Sequence, residues 1–284
     1  MVCSGQVDAM VIAADEATPR NLSMVLKGYF DDSGMEGDLS NRIACIGGYL
    51  ANDHAWSMFA SMWGEMLLKH GIPWLHMADF MQSAKEYKQF GGDWDKMKPV
   101  LFDAMHAIRL SQIVGFGVAI DLDAWRQVPS SFTQAEGDGH QFCFSRILRM
   151  VVDRVRLAAP DSAVWVHFDC DINLAPARFQ KFLHVREAIP DAKRTLLGFG
   201  VGDPMRLQSL QAADFLAWET RKAMIRRMNL HSERPEFEAL FASLPWHLVQ
   251  YSGEWWDEGD IKEKVILPHE AEKTRDEKAP DSKV

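Results

Sequence analysis

The chain is poor in cysteine, in long apolar runs and in surplus positive charge, and each shortage removes a class of protein. Its four cysteines, Cys3, Cys45, Cys143 and Cys170, stand too far apart for a C-x-x-C pair, which excludes zinc-type spacing and a disulfide-dense scaffold. No stretch nears the roughly 20 apolar residues that a membrane-spanning helix needs. The first twenty residues carry Asp8, Asp15 and Glu16 and lack a basic segment followed by an apolar one. That reads as no secretory signal and, with so few cysteines, as a cytoplasmic setting. The formal net charge is −9, which argues against coating nucleic acid by bulk charge. Local binding stays open, because metal ions can bridge acidic side chains to phosphates.

What is present is an ordinary globular balance: 284 residues, 47% hydrophobic and 25% charged, enough for a core that holds carboxylates rigidly. Residues 1–23 read as a loose extension. Val25 to Phe30 is a β-rich run that stops at the turn-like cluster Asp31-Asp32-Ser33-Gly34, and Ile43 to Leu50 is its hairpin partner. Trp56, Phe59, Trp63, Met66 and Leu67 recur at helical steps within residues 55–70. Residues 74–90 are irregular, and residues 93–110 read as a helix with Val100, Leu101, Ala104, Met105 and Ile108 inward. A third strand, residues 113–120, ends at Asp121, and residues 123–139 look like a loop. Then follow a helix over 141–157, a strand over 163–168 ending at Asp169, a helix over 175–188, a short strand over 195–200 and a long helix over 207–228. Residues 229–267 read as a helical or irregular cap, and residues 268–284 as a disordered charged tail. The order predicts an α/β fold with a mixed sheet.

Three apolar strands each finish on an aspartate: Asp31, Asp121 and Asp169. Ligands in open α/β sheets sit at the carboxyl ends of parallel strands. If the first and fourth strands are parallel neighbours, Asp31 and Asp169 lie side by side and need a shared proton or a cation. Oxygen-only ligation selects Mg²⁺ or Mn²⁺. The plainer alternative is that aspartate follows a strand because it initiates turns, and for Asp121 a turn is explanation enough. Asp214 falls in line with Leu207, Leu210, Ala217 and Trp218 on the stripe of a helix that should be buried, where a carboxylate is costly unless paired. Gln211, one turn earlier, could orient it.

These residues resemble a known family. Tyr29-Phe30-Asp31-Asp32-Ser33-Gly34 is similar to the Y-x-D-E-S-G signature that opens the family called domain of unknown function 3800. Leu210-Gln211-Ala212-Ala213-Asp214-Phe215-Leu216-Ala217 resembles its later L-Q-x-A-D helix, and Leu75-His76-Met77-Ala78-Asp79-Phe80 its middle histidine segment. The strand ending at Asp169 occupies the remaining place. The resemblance covers roughly residues 25–228. It implies a ribonuclease-H-like mixed five-stranded sheet flanked by helices, a catalytic domain over 24–228 and a divalent-metal nuclease acting on RNA or DNA. Carried over, Asp31, Asp169 and Asp214 would be catalytic metal ligands, His76 a catalytic or substrate-positioning group, and Asp32 and Gln211 supports behind them. Two departures stand out. Asp32 replaces the family's Glu with a shorter side chain, and the nearest cations before the helix motif are Lys193 and Arg206. Glu65 is a candidate fourth acid, or simply an exposed helix residue.

Two metals about 4 Å apart would activate water and stabilise the leaving oxygen of a phosphodiester. Arg146, Arg149 and Arg156, and Lys222 with Arg226 and Arg227, are candidate phosphate contacts, or solvated helix faces. The competing readings are a non-catalytic interaction or regulatory module on the same fold and a metal-free hydrolase using carboxylates as acid and base.

Overall fold

The computed structural model describes residues 9–14, 23–33, 42–169, 175–228 and 251–268. Seven strands make one mixed sheet: β1 (Ala9–Ala14), β2 (Met24–Ser33), β3 (Ile43–Ala51), β4 (Val114–Asp121), β5 (Ser162–Asp169), β6 (Leu196–Gly202) and β7 (Tyr251–Trp256), in the order β1-β6-β5-β2-β3-β4-β7. The expected count of five is thus exceeded at both edges. Residues 9–14, expected as loose extension, pair antiparallel with β6, and residues 251–256, expected within an irregular cap, pair parallel with β4. Both additions satisfy ladder groups that would otherwise stay open at a sheet edge.

β2 and β3 form the expected antiparallel pair. β2 does not turn at Asp31, however: Asp31, Asp32 and Ser33 pair with Gly47, Ile46 and Cys45. Every residue of β3 is buried, so the ladder it offers runs past the apolar end of β2. The two aspartates are therefore fixed by backbone hydrogen bonds and point to opposite faces.

One face carries α6 (Gly139–Ala158) and α7 (Ala175–Ala188), whose Phe142, Ile147, Val151, Phe182 and Val185 pack on Phe30, Phe168 and Phe199. Against the other lies α9 (Gln208–Arg227), backed by α1 (Asp53–His70) and α3 (Trp94–Ser111). The spacing in α1 reads true: Trp56, Phe59, Trp63, Met66 and Leu67 are its buried residues. Asn52 caps α1 by accepting from the Ala55 N–H, and Gly71 ends it at φ 63°, a left-handed turn that suits glycine. All five residues expected inward in α3 are buried. The segment expected as a loop over 123–139 instead holds α4 (Leu122–Trp125) and α5 (Ser130–Glu136), because Asp121 caps the first and Pro129 opens the second. The irregular stretch holds α2 (Met77–Met81) and a 3₁₀ turn (Lys85–Phe90), and α8 (Ala192–Thr195) is one turn ahead of β6. Gly34 of the first motif and the tail from residue 269 lie outside the described residues. No described helix is long and apolar enough to cross a membrane.

Candidate active site

The register of β2 against β5 sets the site. They run parallel with Phe30 opposite Phe168, so Asp31 and Asp169 follow at the next step of adjoining strand ends. Both belong to the face that α9 covers. Two residues earlier, Tyr29 and His167 stack there with ring centroids 4.9 Å apart, and Tyr29 packs against the core that includes Phe215 and Leu216 of α9.

α9 reaches that edge by way of a glycine. Gly47 pairs with Asp31, and a Cβ on it would stand 2.4 Å from the Ala217 backbone nitrogen. Only hydrogen at that position lets the helix lie so close to the sheet. Asp214 is one turn before Ala217 on the same helix side, so it joins Asp31 and Asp169 in lining one cleft of about 700 Å³.

The three carboxylates are electrostatically linked. Asp31 is 7% exposed and Asp214 8%. Burial, followed by the charges of Asp214, Asp169 and Asp32, holds Asp31 well above the ordinary carboxylate range. Burial also lifts Asp214 to about 6, aided by Asp169 and Asp79 and opposed by His76 and the Met77 N–H. A divalent cation would relieve this repulsion, and the all-oxygen donor set fits Mg²⁺ or Mn²⁺ rather than a thiolate-seeking metal. Among the described residues, no three or more His, Cys, Asp or Glu side chains already stand as a metal-ligand group. Ligation therefore requires the carboxylates to close on the ion.

Asp32 faces the opposite side of the sheet. Its carboxylate receives the Arg178 guanidinium at 2.8 Å and has His140 Nδ1 at 4.0 Å. It ties β2 to α7 and shares the cleft wall with both side chains.

His76 also lines the cleft. Its Nδ1 lies 2.8 Å from Asp79 Oδ2, its ring stacks on Trp74, and its backbone N–H donates to Tyr87 Oη. Although burial works the other way, hydrogen bonds from Lys85 and His76 keep Asp79 below the ordinary carboxylate range. An anionic carboxylate so placed fixes which histidine nitrogen turns outward. Gln211 does not reach the cleft. Its Oε1 accepts from Trp63 Nε1 at 2.8 Å and the Leu75 N–H at 3.1 Å, while Nε2 donates to Pro204 O. It holds in place the segment that carries His76.

Other polar groups have different roles. Asp121 accepts from the Asp123 and Ala124 N–H groups and pairs with Arg42, which is the turn role. Burial pushes His167 down to about 4, leaving it a neutral stacking partner of Tyr29. Glu65 is exposed. Arg146 grips Glu254, Arg149 approaches Glu136 at 3.9 Å and Lys222 sits over Trp218, so none of these candidate phosphate contacts lines the cleft. Arg156 and Arg227 likewise pair with Asp191 and Asp257. The cations in the cleft are Lys85, Arg178 and Lys181. The reading of the sequence gave none of them a role, because their sequence neighbourhoods look like any solvated helix or turn.

Comparison of the chain with family models, with curated proteins and with solved structures gives no match.

Proposed function

We propose that this chain is a divalent-metal-dependent nuclease in which Asp31, Asp169 and Asp214 hold Mg²⁺ or Mn²⁺. The observation that carries the reading is the convergence of three aspartates from β2, β5 and α9, two of them more than nine-tenths buried, in one open cleft. Buried carboxylates that raise one another's affinity for protons form a site that wants a cation. The ion would supply an activated water and a polarised phosphate oxygen. The protein's own part is to hold the acids on rigid strand ends, to present His76 from a clamped segment and to line the opposite wall with cations. The ribonuclease-H-like resemblance draws support from the middle of the sheet, where β4-β3-β2-β5-β6 form a mixed five-stranded unit with helices on both faces.

One observation favours the alternative, a non-catalytic module on the same fold: Asp214 Oδ2 already accepts the Met77 N–H at 2.6 Å, so the residue has a structural duty without any metal. A panel of RNA, DNA and hybrid oligonucleotides, incubated with Mg²⁺, with Mn²⁺ or with chelator, separates the readings. Cleavage that needs the metal and disappears in Asp31→Asn, Asp169→Asn and Asp214→Asn is the expected result. Unchanged cleavage in the three variants, or none by the wild type, removes the proposal. Cleavage surviving in chelator would instead point to acid–base hydrolysis by the carboxylates alone.

A further inference from the structure

The cleft has a second wall, which the metal site does not use. On it, Asp32 meets a nitrogen-bearing side chain from each of two helices, the Arg178 guanidinium of α7 and the His140 imidazole of α6. Arg178 is 9% exposed, and its guanidinium lies over the Phe168 ring, 5.5 Å from the centroid. That ring lies near the end of the strand that carries Asp169 and gives the guanidinium an aromatic face to rest on. A guanidinium offers five N–H donors, and one carboxylate satisfies two of them at most. His140 is similarly under-supplied: its Nε2 is buried and has no hydrogen-bond partner among the described residues. α6 begins at Gly139 beside this wall, with its first turn capped by Asp138, whose carboxylate accepts the Gln141 N–H and also lines the cleft.

A buried arginine with spare donors, sharing its carboxylate with a histidine on the same cleft wall, is the chemistry that receives an oxyanion. We propose that Arg178 and His140 form a phosphate subsite across the cleft from Asp31, Asp169 and Asp214, with Asp32 occupying the guanidinium until a substrate phosphate displaces it. The choice of phosphate rests on the nuclease reading; the oxyanion subsite itself rests on this wall alone. In this arrangement the acids take the metal side of the substrate and Arg178 the anionic side. Asp32 is then a positioning residue that keeps a buried charge paired when the cleft is empty.

Asp32→Asn and Arg178→Met break the same ion pair, which makes them a decisive comparison. A tether that only joins β2 to α7 is lost equally in both. A subsite gives opposite results: removing Asp32 frees the guanidinium, and removing Arg178 destroys the receptor. Calorimetric titration with inorganic phosphate, in chelator so that the metal site is silent, reads the difference. The expected result is binding that tightens several-fold in Asp32→Asn and falls at least about tenfold in Arg178→Met, the loss of one charge-assisted bidentate contact. Equal weakening in both variants, unchanged binding in Arg178→Met, or no phosphate binding by wild type and Asp32→Asn overturns the subsite. Melting curves report whether each variant folds. If Arg178→Met does not, Arg178→Lys keeps the charge, loses the planar fork and is expected to bind phosphate more weakly.

The oligonucleotide cleavage assay in Mg²⁺ keeps the two proposals apart. Phosphate binding that depends on Arg178 without any cleavage leaves the subsite standing and the nuclease reading fallen. Cleavage whose KM is unmoved by Arg178→Met does the reverse.

Discussion

The Met77 backbone N–H donates to Asp214 Oδ2 at 2.6 Å, which pins the start of α2 to the middle of α9. The same segment is held one residue pair earlier by Gln211, so His76 is fixed from both sides by a single helix. Position of the histidine and position of the acid are thereby one structural event. The motif around His76 and the motif around Asp214, far apart in the chain, are two halves of one contact.

Gln211→Ala tests the Gln211 clamp. It leaves Trp63 Nε1 and the Leu75 N–H buried without an acceptor, and each such group costs about 1–3 kcal/mol. Denaturant unfolding is expected to show a loss of about 2–6 kcal/mol. Gln211→Glu keeps an acceptor for both N–H groups but sets a buried carboxylate against Pro204 O and one turn from Asp214, so it should also lose stability, and more as pH rises. Equal stability of wild type and Gln211→Ala would show that the clamp holds nothing.

Gly47→Ala tests the approach of α9 to the sheet. The added methyl would stand 2.4 Å from the Ala217 nitrogen and 2.6 Å from its Cα, which are backbone atoms that no rotamer change can move. Overpacking of this kind costs about 1–3 kcal/mol or more, and relief requires the helix to lift. Thermal melting should drop, and any metal-induced rise in melting temperature should shrink, since Asp214 lifts with the helix. A variant with wild-type melting and a wild-type metal response would refute the close contact.

Glu219 makes stability depend on pH. It is 3% exposed, neither carboxylate oxygen has a hydrogen-bond partner among the described residues, and burial pushes it up to about 8 despite Arg226 and Lys222. The ordinary value is 4.5. A folded-state value raised above the unfolded one means that the native protein binds the extra proton. Its contribution is fully present below pH 4.5 and is lost as pH climbs through about 8. Asp31 and Asp214 are raised as well and act in the same direction. Urea midpoints are expected to fall from pH 5 to pH 8, and Glu219→Gln should flatten part of that slope while stabilising the protein most at the alkaline end. A slope identical in the variant would mean that Glu219 is ionised and partnered in solution.

Periodicity was enough for the helices whose burial follows one stripe. Trp56, Phe59, Trp63, Met66 and Leu67 repeat at helical steps, and Val100 to Ile108 do the same, because each helix packs one side against a core. Asp214 was legible on the same ground: a carboxylate on an apolar stripe must be held by something. Asp169 was legible as a strand-end acid; Asp31 was read the same way, but β2 continues through Ser33. Whether they are neighbours depends on β2 and β5 being parallel in a particular register, which pairs residues more than a hundred positions apart and leaves no local trace.

The sequence by itself determined the alternation of strands and helices, the apolar faces and the acids that close the strands, because these follow from the period of the backbone and the cost of burying charge. Only the tertiary structure decided which acids meet, that Asp32 turns away to Arg178, that Gln211 holds a backbone segment rather than a ligand, and that residues 9–14 and 251–256 extend the sheet. The physical reason is range. Propensity and periodicity act over a few residues, whereas sheet order, a glycine contact between strand and helix, and an ion pair across a cleft join groups that the chain itself keeps far apart.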